Sequence, residues 1–93
     1  MNAKNWEQAM ADAYWDYRWH QIMNPLCETF RRWKAGELGH TDVSRAMDGA
    51  YMAKCVINSL HAQREDRAVA AIRALDRAWF ESWLDENCPR GAE

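Results

Sequence analysis

Lys54 and Asp76 are the two residues whose type and placement could carry chemistry in this chain. Each falls on the apolar face of a helical stretch, where a charge is costly to desolvate unless it is paired. A helical hairpin turning near Arg64 would set them opposite each other, with His61 close by. That arrangement predicts either an ion pair that fixes helix register or an anchor for a small anionic ligand. A structural role is the expectation, either that ion pair or a lysine snorkelling to the edge with Asp76 as an N-cap, because structural networks imitate functional sites more often than the reverse.

A second constellation is Asp12, Asp16 and His20, spaced i, i+4 and i+8 on one helix. Asp16 and His20 are weak candidates for a metal, since one carboxylate and one imidazole need further donors from another helix. Carboxylate-bridged di-iron bundles use paired Glu donors and repeated Glu-x-x-His. The single Glu-x-x-His here, Glu37 to His40, lies in a glycine-flanked turn. A local helix contact between Asp16 and His20 is the simpler expectation. No metal, haem or other cofactor is expected. No phosphate loop, nucleophile elbow or metalloprotease helix is present, so no catalytic residue is assigned and enzymatic activity is disfavoured.

The elements that would position these groups are helices. Ala, Arg, Glu, Leu and Met are frequent, β-branched residues are scarce, and only two prolines and four glycines punctuate 93 residues. The pattern predicts an all-α fold: a small bundle of three main helices over about 5–35, 41–62 and 65–87, in one domain with a short disordered tail at 89–93. Pro25 predicts a kink or a short break in the first helix. Thr41 is the expected N-cap of the second. The third carries Val69, Ile72, Leu75, Trp79, Phe80, Trp83 and Leu84 on one face, and a break at Asp76, with its carboxylate as an N-cap, is the competing local reading.

Aromatic load is the other informative feature: six tryptophans, three tyrosines and two phenylalanines. The first helix carries two apolar stripes. One holds Trp6, Met10, Ala13, Tyr17, His20 and Cys27; the other holds Trp15, Trp19, Ile22, Leu26, Phe30 and Trp33. A three-helix bundle has one core, so one stripe would face water unless a partner covered it. The second stripe is therefore the expected interface of a homodimer, antiparallel about a two-fold axis.

Composition limits the remaining classes. Twelve basic and fourteen acidic residues disfavour nucleic acid as a partner. Cys27, Cys55 and Cys88 have no disulfide or metal spacing and read as free thiols, the first two as small buried hydrophobes. With no apolar run long enough for a membrane span and no secretory pattern, a cytoplasmic protein is expected. The function that fits best is a homodimeric protein-interaction or adaptor module. The alternative is a small-ligand or metal-binding bundle with its polar site near Lys54, His61 and Asp76.

Overall fold

The computed structural model describes residues 6–87. Four helices follow one another: α1 (Trp6–Lys34), α2 (His40–His61), α3 (Glu65–Leu75) and α4 (Arg77–Asn87). Among the described residues the fold is all-helical, with no strand. The expected start at Asn5, Cys88 and the tail at 89–93 lie outside the described residues.

α1 runs through Pro25 as one helix of 29 residues, so of the expected kink or short break the break is absent. Proline removes one helical N–H, while Thr29 Oγ1 donates to the Pro25 carbonyl at 3.0 Å in the next turn. The helix ends in a Schellman motif. Gly36 takes a left-handed backbone with φ 81°, Glu37 N donates to Arg32 O at 2.9 Å, and Gly36 N donates to Trp33 O at 3.0 Å. Arg31, Arg32 and Lys34 fill the last turn, where cations oppose the negative end of the helix dipole.

α2 begins one residue earlier than expected. Gly39 is its N-cap and Thr41 lies in the first turn. Asp42 explains the shift: its Oδ2 accepts from Gly39 N at 3.0 Å, the carboxylate half of a capping box.

The expected third helix is two helices. Asp76 leaves the helical region at φ −148° and ψ 70°, ending α3. Its Oδ1 accepts from Trp79 N at 3.3 Å, the N3 amide of α4. Local capping thus overrides an apolar stripe that would have continued as one helix. Leu75, expected on the core face, is left 68% exposed at the break.

The core lies at one end. Its buried members are Met10, Ala11 and Tyr14 from α1, Ile57 and Leu60 from α2, and Ala68, Val69 and Ile72 from α3. Met10 and Ile72 are the largest fully enclosed side chains. Trp79 of α4 closes the cluster edge-on against Tyr14, with ring centroids 4.8 Å apart. Beyond this end, α1 and α2 continue as a bare two-helix arm. The molecule measures 55 × 22 × 18 Å, with a radius of gyration of 16.7 Å. A compact chain of this length would have about 12 Å.

Candidate interaction surface

Where the core meets the arm, a polar and aromatic clasp joins α1 to α2. Asn58 Oδ1 accepts from Trp15 Nε1 at 2.8 Å and from Trp19 Nε1 at 3.3 Å. Both indoles are half-buried, and both N–H groups share this one acceptor. Trp15 also stacks on His61, with centroids 4.5 Å apart and planes 17° from parallel. His61 Nε2 lies 2.8 Å from Asp12 Oδ1. A carboxylate only accepts, so Nε2 carries the imidazole proton and donates. Gln8 Nε2 donates to the same Asp12 oxygen at 2.9 Å.

Asn58 is the residue that spacing arguments missed. The signal was present: Lys54, Asn58 and His61 stand at i, i+4 and i+7, so two polar residues on an apolar face imply a polar ridge with Asn58 between them. Tyr14 was missed as well. It belongs to neither stripe of α1, yet it is the most buried aromatic. Burial raises its phenol pKa above the ordinary 10.0; Arg18 opposes that shift, and Asp76 and Tyr17 add to it.

Lys54, His61 and Asp76 have separate surroundings. Lys54 Nζ sits 4.8 Å from the centre of its own helix neighbour, the Tyr51 ring. Asp76 caps α4, and His61 faces Asp12. No ion pair joins Lys54 to Asp76, which corrects the paired form of the expectation and leaves the N-cap aspartate. The hairpin geometry behind the pair required a third helix continuing through residue 76, and α3 stops at Leu75. Asp16 and His20 form a local contact: His20 Nδ1 donates to the Asp16 carbonyl at 2.9 Å and lies 3.6 Å from its carboxylate, both side chains exposed. Among the described residues no group of three or more His, Cys, Asp or Glu side chains is placed to hold a metal.

The six stripe residues divide along α1. Trp15, Trp19 and Ile22 pack against the core cluster. Leu26 is half-buried beside a shallow groove lined by Ile22, Pro25, Ala46, Ala50 and Ala53. Phe30 and Trp33 are exposed, at 36% and 40%. Trp33 Nε1 donates to His40 Nδ1 at 2.9 Å across the hairpin turn, so that imidazole is neutral in this contact. The α2 side of the arm is just as bare. Met47 and Tyr51, on the ridge that carries Asn58, are 51% and 62% exposed. A Cβ added at Gly49 would meet nothing within 4 Å. Cys27 and Cys55, expected to be buried, are exposed because their stretches of α1 and α2 have no third helix against them.

No family model, curated protein or solved structure matches the chain. Among the described residues no helix is long and apolar enough to cross a membrane.

Proposed function

We propose that the protein is a helical association module that works as a homodimer through its two-helix arm. One observation carries this reading: every buried core residue comes from Met10–Tyr14, Ile57–Leu60 or Ala68–Ile72, while the arm displays Phe30, Trp33, Met47 and Tyr51 to solvent. A two-helix layer has one covered seam and two open faces. Helices in proteins draw most of their stability from packing, so such an arm gains by meeting a further layer. Aromatic residues and methionine are the types enriched at protein interfaces.

The reading moves the interface along the stripe. Phe30 and Trp33 remain in it, Trp15 and Trp19 hold α2 through Asn58, and Met47 and Tyr51 join from α2. The small-ligand alternative rested on Lys54, His61 and Asp76 converging, and each has its own separate contacts. Sedimentation of the purified chain tests the proposal. A species of twice 10.9 kDa at micromolar concentration is expected, and a monomer at all accessible concentrations would refute it.

A further inference from the structure

We infer that the uncovered ridge of α1 seats the same ridge of a second copy, antiparallel about a two-fold axis near Met23. This inference rests on the association reading and gives it a face and a register.

The ridge runs through Asp12, Asp16, His20, Met23, Cys27 and Phe30 in steps of three and four residues, the spacing of a helix–helix seam. Met23 is half-buried and the other five are exposed; α2 reaches the ridge at its N-terminal end, where His61 lies on Asp12 Oδ1. Its polarity is asymmetric. Acids stand at the N-terminal end, apolar side chains in the middle, and Arg31 with Lys34 at the C-terminal end. An antiparallel copy centred on Met23 brings Asp16 to the partner's Arg31 and Asp12 to the partner's Lys34, with Met23 against the partner's Met23. A parallel copy would set acid against acid and base against base. The charge pattern therefore selects a second copy in one orientation.

At the N-terminal end, Asp12 Oδ1 is taken by His61 and Gln8, so Oδ2 is the oxygen offered to the partner's Lys34. Among the described residues Lys34 forms no ion pair, and the Asp16 carboxylate has no contact shorter than the 3.6 Å to His20. Arg31 is held by Glu28 at 2.6 and 2.9 Å through two of its five donors, which leaves donors for a carboxylate from outside. Met47 and Tyr51 flank the seam on the α2 side. At about 200 Å2 for a large side chain, the exposed fractions of Phe30, Trp33, Met47 and Tyr51 leave about 400 Å2 of apolar surface. That is half of the roughly 800 Å2 per partner in a standard interface. The seam between the two α1 helices would supply the rest.

A charge swap tests the register. Asp16→Lys and Arg31→Glu chains, each checked for helix content, are sedimented alone and as an equimolar mixture. Each alone should dimerise about tenfold more weakly than the parent, and the mixture should recover the parent affinity as a heterodimer. Parent-like dimers from both single variants, or a mixture no tighter than its components, would overturn the register while leaving the association reading intact. A monomeric parent would overturn both. A second measurement does not depend on charge. In a Cys27→Ser, Cys55→Ser, Cys88→Ser background, Met23→Cys should form an intermolecular disulfide on mild oxidation, and Gln21→Cys, which borders the groove between α1 and α2, should not. Equal cross-linking at the two positions would count against the ridge.

Discussion

The Trp15 indole lies flat on the His61 imidazole, 4.5 Å between centroids and 17° from parallel, while its N–H reaches Asn58. One aromatic side chain of α1 thus touches α2 at two points a helical turn apart, and Trp19 adds a second donor to the same Asn58 oxygen. Asn58→Ala removes the acceptor from two half-buried indoles together. The expected loss is about 1–3 kcal/mol of unfolding free energy, the cost of leaving buried donors unsatisfied. Asn58→Asp keeps an acceptor and should lose less. Urea denaturation with an unchanged slope measures both. Equal losses from the two substitutions would mean that the shared acceptor is not what holds the clasp.

Asp76 has a capping role that a substitution can isolate at neutral pH. Its carboxylate satisfies the Trp79 amide at the start of α4, and Trp79 covers Tyr14. Asp76→Ala should cost about 1 kcal/mol, in the range of other lost N-caps. Asp76→Asn and Asp76→Ser should recover most of it. The loss is local, so amide hydrogen exchange should accelerate in α4 and its junction with α3 more than in α2. Uniform acceleration across all four helices would contradict a capping role.

The helical class and the glycine stop after α1 are legible in the sequence because each has a local cause: helix-forming composition, and a glycine with a left-handed backbone after a basic last turn. The division at Asp76 is legible only as one of two readings. An apolar stripe continues across it, and capping chemistry decides the matter within four residues. What spacing could not give is which face of α1 meets which neighbour. A wheel with two apolar stripes suggests two environments, and α1 has at least three. Met10, Ala11 and Tyr14 meet the core, Trp15 and Trp19 meet Asn58, and the ridge through Met23 is uncovered. Tyr14 falls between the stripes, so periodicity assigned the most buried aromatic to no face. The Lys54–Asp76 ion pair assumed helix continuity through residue 76, where the N-cap aspartate intervenes instead.

Burial raises the Tyr14 phenol pKa above 10.0, and the charge of Asp76 adds to the shift. The folded state therefore favours the neutral phenol. Its contribution to stability is fully present below the unfolded value, near 10, and is lost as pH rises through the raised folded value. Unfolding free energy should fall between about pH 9 and about pH 11.5, the range in which phenols ionise. The informative quantity is the difference between parent and Tyr14→Phe, which isolates this phenol. The variant should have the shallower alkaline slope. Identical slopes would show that ionising this phenol does not oppose folding.

Folding and association should separate by position along the long axis. Met10 is fully enclosed among core side chains, and Met10→Ala should cost about 2–5 kcal/mol through lost burial and the cavity left behind. Met47 and Tyr51 stand on the bare arm, where substitutions usually move stability by no more than about 0.5 kcal/mol. Met47→Ser with Tyr51→Ser should therefore leave the monomer's helix content in place while weakening the proposed dimer. Met10→Ala should lower stability without changing which surface associates. Denaturation at high and low protein concentration distinguishes the two effects, because a dimer's apparent stability rises with concentration and a monomer's does not. The parent should show that concentration dependence, Met10→Ala should show it from a lower starting point, and the arm double variant should lose it. If the arm variant unfolds as readily as Met10→Ala, then Met47 and Tyr51 support the fold itself and the arm is not the associating surface.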